Sequence, residues 1–326
     1  MRKIVLLVVA LLAVVLVAAA LQSRKEDREV DLQSHKLLSE QQLQLLADTR
    51  AITLQRGEQR VELVRKDDQW LVANQDNFPV MQPRLAALLL NLRGAQVQEE
   101  KTDNPDYHQR LGLSTDSEPP VLQLTLDAGD TSLGLLYGNS VGKGQLLRLA
   151  DSNQVLLINR PLNISVNSHD WLDLQVSSLP LEQVAKAIWT YTDGETLVLD
   201  KAEEGDYNFR LAGEPSAAGQ ERKLNSMVLA LANLRAQNVS LRTSLALEQP
   251  SLTMQLTTWS GAELQASLYQ LDNQYWLTVD AVKQDADESL SVRVDPRWAY
   301  QLSVAQHDQL ALRAADLQPE EADADE

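Results

Sequence analysis

The stretch AITLQRGEQRVELVRKDDQWLVAN, residues 51–74, alternates apolar and polar positions over most of its length. A period of two is typical of strands that bury one face of a sheet. Turn signals at 56–58 and 66–68 divide the stretch into three segments. It therefore predicts an antiparallel meander of three strands. The predicted buried positions are Ile52, Leu54, Val61, Leu63, Trp70 and Val72.

The pattern changes on either side of this meander. Upstream, Ser39 and Gln42 have the spacing of a capping box, which predicts a short helix to about Ala47. Downstream, leucines recur at i, i+3, i+4 and i+7 from Leu85, which predicts an amphipathic helix over 82–93. Strand patterns resume after this helix. The fold class is therefore α+β, an antiparallel sheet packed with one main helix.

The second half of the chain repeats this order of elements. Its helical face, which begins at Leu224, follows the first by 139 residues, whereas matching Asn91-Leu92-Arg93 to Asn233-Leu234-Arg235 gives 142. The two registers stay open. A short final helix is expected from His307 to Leu317. We expect two tandem repeats, the first over 40–177 and the second over 178–317.

A continuous apolar run, from Ile4 to Leu21, precedes the repeats. As a helix it would cover roughly 27 Å, close to the roughly 30 Å hydrocarbon core of a bilayer. We expect a transmembrane anchor over 1–21 and a polar juxtamembrane stalk over 22–39. A cleaved signal peptide is the alternative, because the small residues at 18–20 resemble a cleavage site.

Basic residues flank this run on both sides. Arg2 and Lys3 precede it, and Arg24, Lys25 and Arg28 follow it. The short basic N-terminus favours an anchor whose N-terminus stays in the cytoplasm. The expected location is the bacterial inner membrane, crossed once, with the bulk of the chain in the periplasm.

The charge and cysteine content exclude several classes of function. The formal net charge is −17, whereas nucleic acids and anionic lipids require a basic surface. No cysteine is present, which rules out disulfides and thiolate chemistry. Part of the acidic excess lies in residues 318–326, which are expected to form a disordered tail. We expect no nucleic-acid partner.

No motif predicts catalysis. The segment from Gly138 to Gly144 resembles a P-loop but lacks one spacer and the hydroxyl after lysine, so a hairpin turn is favoured. Ser168-His169-Asp170 is the basis of a hydrolase alternative, but adjacent residues do not face one another as a triad requires. Ser168 or Asp170 is expected to cap a short helix instead. We predict no catalytic, cofactor or metal residues.

Three exposed positions are the candidates for contact with a partner. Trp259 lies beside a predicted turn, and Asn139 and Lys143 lie in the glycine-rich turn. Trp70 and Trp276 enter the return strands of their repeats and are expected to anchor the sheets. The alternative is that they form an aromatic contact surface for a partner or glycan.

Six short motifs, in this order, resemble the bacterial family called domain of unknown function 4340. The motifs lie at Ile52 to Gly57, Asp67 to Val72, Leu85 to Arg93, Asn104 to Leu113, Tyr137 to Gly144 and Asp170 to Asp173. The resemblance implies a membrane-tethered extracytoplasmic subunit that accompanies ABC-type export systems. It brings no catalytic residues.

The expected function is therefore that of an accessory or scaffold subunit associated with an ABC-type transport system. Its expected partners are the membrane, through the N-terminal helix, and an ABC-type permease or an accessory membrane protein. The alternative is a module that binds envelope glycan or lipid in a cleft between the repeats.

Overall fold

The computed structural model describes residues 34–162, 164–214, 220–284, 291–293 and 295–317. The chain divides into two compact units between Leu172 and Asp173. No helix within the described residues is long and apolar enough to cross a membrane. The expected anchor at 4–21 lies outside the described residues.

The first unit contains helices α1 (Glu40–Asp48) and α2 (Gln82–Gly94) within the described residues. Its strands are β1 (His35–Lys36), β2 (Ala51–Arg56), β3 (Gln59–Lys66), β4 (Gln69–Val72), β5 (Phe78–Pro79), β6 (Gln96–Glu100), β7 (Leu122–Asp127), β8 (Ser132–Val141), β9 (Gly144–Leu149) and β10 (Leu156–Ile158). They form one antiparallel sheet in the order β1-β6-β10-β9-β8-β7-β2-β3-β4-β5.

The predicted meander and the two predicted helices of this unit are confirmed. Strands β2, β3 and β4 are the meander, and α2 covers the predicted helix. Ser39 caps α1, since its hydroxyl accepts a hydrogen bond from the amide of Gln42 at 3.3 Å and its amide donates to the Gln42 side chain at 2.9 Å. Sequence reasoning did not assign the strands β1, β5 and β6.

The second unit contains helices α3 (Gln220–Ala232) and α4 (Val304–Leu310) within the described residues. Its strands are β11 (Ser177–Ser178), β12 (Val184–Tyr191), β13 (Thr196–Asp200), β14 (Arg210–Leu211), β15 (Asn238–Leu241), β16 (Leu252–Thr258), β17 (Glu263–Leu271), β18 (Gln274–Lys283), β19 (Ser291–Val292) and β20 (Trp298–Leu302). Strands β11 and β19 pair with each other, and the others form an antiparallel sheet in the order β14-β13-β12-β16-β17-β18-β20-β15.

The two large sheets share one topology. When β12, β13, β14 and β15 are matched to β2, β3, β4 and β6, and β16, β17, β18 and β20 to β7, β8, β9 and β10, the strand orders coincide. Burial also decides the helical register that the sequence left open. Leu85, Leu88 and Leu92 of α2 are buried, as are Leu224, Met227 and Leu231 of α3, each 139 residues later.

The second unit begins a few residues before the expected boundary at 177. Residues 174–179 hydrogen-bond to the chain that follows α3: the amide of Val176 donates to Leu234 O at 2.8 Å, and the amide of Leu179 donates to Ala232 O at 2.8 Å. The final helix also begins earlier than expected. Ser303 forms a capping box with Gln306, so α4 begins at Val304, and a separate 3-10 turn covers Ala314–Leu317.

This C-terminal segment docks onto the second unit through both polar and apolar contacts. The indole nitrogen of Trp189 donates to Leu310 O at 2.9 Å, and Leu310 is fully buried. Arg313 forms ion pairs with Asp193 at 2.6 Å and with Glu195 at 2.7 Å. These contacts fix the segment against the β12–β13 hairpin.

Each unit also packs side chains on the second face of its sheet. Successive residues of a strand point to opposite faces, so Leu135 and Leu136 of β8 belong to different clusters. Leu136 packs in a cluster with Leu113, Val121, Leu146 and Val155. The loop between β6 and β7 therefore covers part of the sheet face opposite the main core.

The second unit has the equivalent arrangement. Tyr269 of β17, Trp276 of β18 and Ala299 of β20 are buried together, with Leu245 and Leu247 packed against them. Leu245 and Leu247 lie in the loop between β15 and β16. This loop corresponds to the one that carries Leu111 and Leu113 in the first unit.

Gly138 lets the first of these loops lie directly on β8. A Cβ atom at Gly138 would lie 2.5 Å from Leu111 O and 2.8 Å from Leu113 Cγ. The next residue along β8, Asn139, donates its amide to Leu111 O at 2.9 Å. The close backbone approach therefore requires glycine at position 138.

We predict that Gly138→Ala destabilises the protein by about 1–3 kcal/mol, because the added methyl group forces the loop away from the sheet. Urea unfolding of the full chain measures this change. The control is Gly94→Ala at the end of α2, where the nearest atom is a flexible arginine side-chain nitrogen at 3.6 Å. Equal stability of the two variants would contradict the proposed steric role.

Asp295 organises the entry into β20. Its carboxylate accepts hydrogen bonds from the Arg297 guanidinium at 2.7 Å and from the Trp298 indole at 3.0 Å, and Trp298 is buried. The hydrogen bond from the Arg297 side chain is the main cause that lowers the pKa of Asp295 below its ordinary value of 3.8.

A lowered pKa in the folded state means that ionised Asp295 stabilises the fold above its ordinary pKa of 3.8 and that this contribution disappears as the pH falls through the lowered pKa. We therefore expect Asp295→Asn to be less stable than the wild type near pH 6, with a gap that closes in acid. Urea unfolding at several pH values tests this, with Asp272→Asn as the control. A gap independent of pH would contradict it.

Candidate functional site

The predicted contact residues Asn139 and Lys143 lie on one hairpin of the first unit. Strands β8 and β9 pair antiparallel up to Val141 and Gly144, and Gly142 has a positive φ of 59° at the turn. The structure thus confirms a hairpin rather than a phosphate-binding loop. Lys143 is exposed at the tip of the hairpin.

Asn139 is exposed but has an internal structural role. Its amide donates to Leu111 O, and its side-chain nitrogen donates to Arg110 O at 3.2 Å. Gly112 accommodates this contact, since a Cβ there would lie 2.5 Å from the Asn139 side-chain oxygen. The motif from Asn104 to Leu113 and the motif from Tyr137 to Gly144 therefore contact each other in the fold. Lys143 is the more available of the two residues for a partner.

The tryptophans differ in exposure. Trp276 is only 5% exposed and lies in the second-face cluster, so it anchors the sheet as expected. Trp259, in the second unit, is half-buried, and its amide donates to Gln183 O at 3.1 Å. Trp70 is also half-buried and borders a groove in the first unit. Trp70 is therefore a candidate for a contact surface, although the sequence predicts that it anchors the sheet.

The side chains of Ser168 and Asp170 contact different neighbours. Ser168 Oγ accepts a hydrogen bond from the Asn74 side chain at 2.6 Å, and the Asp170 carboxylate accepts one from Ser165 Oγ at 2.6 Å. The expected cap was wrong: Asn167 caps the short helix, accepting the amide of His169 at 3.2 Å. Within the part of the chain that the structure describes, no three metal-ligating side chains are grouped.

A groove with an apolar lining lies between α1 and α2 in the first unit. We call it the helix groove. It has a volume of about 660 Å³. Its apolar lining comes mainly from the two helices and from β4, and includes Leu43, Ala47, Trp70, Ala86, Leu89 and Leu90. Glu40, Arg65 and Arg93 supply the charged rim.

Leu90 gives this groove an apolar edge that the fold does not bury. Its side chain is 65% exposed, the highest value among the large hydrophobic residues that the structure describes. A single exposed leucine is ordinary on a protein surface. Here it continues a lining of leucine, alanine and tryptophan side chains, and such a contiguous apolar surface with a polar rim is typical of a binding site.

The other flank of α1 has the opposite character. A second groove, of about 1140 Å³, lies between α1 and the turns at one end of the sheet, and we call it the aspartate groove. Its lining carries five aspartates, Asp48, Asp67, Asp68, Asp130 and Asp151, but only two arginines, Arg50 and Arg65. Arg65 is already paired with Asp68 at 2.6 Å. This flank is therefore negatively charged.

The corresponding place in the second unit has a different lining, since a smaller groove of about 320 Å³ is bordered there by Asn225, Leu229 and mostly polar neighbours. Asn225 of α3 follows Ala86 of α2 by the register of 139 residues. Its side chain accepts the amide of Phe209 at 2.9 Å and donates to the Asn208 side chain at 2.7 Å. This attaches the neighbouring loop to α3. The helix groove is consequently a feature of the first unit.

Sequence reasoning missed the helix groove, although one signal was present. Leu90 lies outside the apolar face formed by the leucines at 85, 88, 89 and 92. Leu229, at the equivalent position of α3, also lies off its helical face and is 39% exposed. An apolar residue off the buried face marks a contact position only where other apolar side chains continue its surface, as they do at Leu90.

Comparison with known proteins gives one match. The profile of the family described as "Domain of unknown function (DUF4340)" matches residues 70–251, more than half of the chain. No curated protein and no solved structure matches significantly. The matched segment begins at Trp70 and includes the interlocking loop and hairpin, α2 and α3. The chain therefore belongs to the DUF4340 family.

Proposed function

We propose that this protein is a membrane-tethered, extracytoplasmic accessory or scaffold subunit of an ABC-type transport system that acts by protein–protein contact. The helix groove carries this proposal. It combines an exposed leucine, a half-buried tryptophan and a charged rim. Protein interfaces use the same composition, with buried aromatic and aliphatic anchors inside a polar border.

The geometry of the helix groove suits a protein partner. α1 and α2 form two walls, and a third helix could pack between them at the ordinary interhelical distance of roughly 8–10 Å. Leu90 and Trp70 would be buried by such a helix. Burying one leucine side chain stabilises an interface by roughly 1.5–3 kcal/mol.

The proposed membrane tether and the proposed transporter partner are supported by different observations. The apolar run from Ile4 to Leu21 has the length of a transmembrane helix, and the basic Arg2 and Lys3 favour a body outside the cytoplasm. Association with an ABC-type permease is what the family resemblance implies. The location we propose is the bacterial inner membrane, with the two units in the periplasm.

The shared topology supports a duplication within this body. The strand orders of the two sheets correspond, and the buried helical faces follow each other at 139 residues. We propose that residues 40–177 and 178–317 derive from two copies of one unit. In this scheme the first copy has a larger apolar groove beside its main helix, while Asn225 lines a smaller and mostly polar groove at the equivalent place in the second copy.

Recovery of a partner from the native membrane tests the proposed function. We expect the tagged full chain, extracted in mild detergent, to recover an ABC-type permease or its ATPase. Leu90→Gln should reduce this recovery about tenfold, equivalent to about 1.4 kcal/mol of lost binding free energy. Quantitative mass spectrometry of the isolated complexes provides the measurement.

Leu229→Gln is the matched control, since it makes the same change at the equivalent exposed position of α3. It should leave recovery unchanged. Isolation of the chain alone, or with envelope glycan or lipid and no transporter component, would overturn the proposed function. If Leu90→Gln and Leu229→Gln reduced recovery equally, the helix groove would not be the contact surface of the proposed function.

A further inference from the structure

The two grooves beside α1 share part of their lining, and this connection specifies the chemistry of a partner. Gln44, Ala47 and Arg65 line both the helix groove and the aspartate groove. The apolar surface and the acidic surface therefore meet across α1. Ala47, which lines both grooves, is exposed. Because its side chain is a single methyl group, it forms only a low barrier between the two grooves.

Three acidic residues of the aspartate groove, Asp48, Asp67 and Asp68, lie within three positions in sequence of a residue shared by the two grooves. Asp48 directly follows Ala47 in α1, and Asp67 and Asp68 form the β3–β4 turn between Arg65 and Trp70. Among the residues that the structure describes, no lysine lines either groove. A cationic side chain that crosses α1 at Ala47 would therefore meet carboxylates.

The length of α1 limits the size of the partner segment. Its nine residues extend about 13 Å along the groove at 1.5 Å per residue. A segment of about three helical turns would run the full length of this wall. Helices that dock in such grooves present apolar anchors at i, i+3 or i+4 and i+7.

From these observations we infer that the helix groove binds an amphipathic helix of about three turns whose apolar side enters the groove and whose lysine or arginine residues lie over Ala47 against the aspartate groove. This inference rests on the proposed function, because it names the kind of partner segment that the same groove accepts. The apolar contact provides the anchor, and the opposite charges fix the direction of the helix and speed association.

Two synthetic peptides of fourteen residues, used as probes, separate the two parts of this inference. Both carry one identical leucine stripe, and their polar positions are occupied by lysine in one peptide and by glutamate in the other. The full chain is held in nanodiscs of zwitterionic lipid, with empty nanodiscs as the blank. Fluorescence anisotropy measures binding. We expect the lysine peptide to bind at least tenfold more tightly than the glutamate peptide.

Variants of the chain locate the binding. Leu90→Gln should weaken the lysine peptide about tenfold, whereas Leu229→Gln should leave its affinity unchanged. The triple neutralisation Asp48→Asn, Asp67→Asn and Asp151→Asn removes three carboxylates of the aspartate groove and leaves the Arg65–Asp68 ion pair in place. It should weaken the lysine peptide at least fivefold and leave the glutamate peptide unaffected or tighter. Asparagine suits position 67, where φ is 47°. Raising the salt concentration should weaken the wild-type complex more than that of the triple variant.

A second triple variant controls for the overall charge. Glu203→Gln, Glu204→Gln and Asp272→Asn remove the same number of charges from turns of the second unit and should not change binding. Equal affinity for the two peptides, or equal effects of the two triple variants, would overturn the inference. If the lysine peptide did not bind but the full chain recovered a permease, only this inference would be overturned. If the lysine peptide bound but no permease were recovered, only the association with a transporter would be overturned.

Discussion

The backbone contact between Gly138 and Leu111 is the constraint on which the first unit depends. A sheet has two faces, and α2 covers only one of them. The loop between β6 and β7 covers part of the other, and it can do so only where β8 presents no side chain. Gly138 provides that position, and Asn139 fixes the loop there by a hydrogen bond of its amide to Leu111 O at 2.9 Å.

The second unit also covers the second face of its sheet with a loop, but it uses different residues. Its covering loop is shorter, and the second-face cluster is built from the larger side chains of Tyr269 and Trp276. Large aromatic residues on the strands can fill a volume that the longer loop fills with Leu113 and Val121 in the first unit. The two sheets thus keep one strand order while their second faces are packed differently.

The helix groove arises from a similar difference beside the main helices. Asn225 attaches a loop to α3 by two hydrogen bonds, and α4 packs against this helix as well. In the first unit Ala86 offers no such hydrogen bond, and α1 stands next to α2 with open space between them. The same position therefore lines a small, mostly polar groove in the second unit and a larger apolar groove in the first.

Local patterns in the sequence determined most of the secondary structure. Alternation over 51–74 predicts β2, β3 and β4, the leucine period predicts α2, and the capping box at Ser39 predicts α1. These features depend on residues close in sequence. The same capping signal at Ser303 and Gln306 was present for α4 and was overlooked.

The tertiary structure alone decided which surfaces are open. The sequence could not show that Asn139 is held by the loop at 110–112, because that contact joins segments far apart in the chain. It could not show that Trp70 borders a groove while Trp276 is buried, since both follow a turn in the sequence although their strands, β4 and β18, do not correspond in the two sheets. Exposure is set by what packs against a residue from elsewhere in the chain, whereas the tendency to form a helix or strand is set by its immediate neighbours.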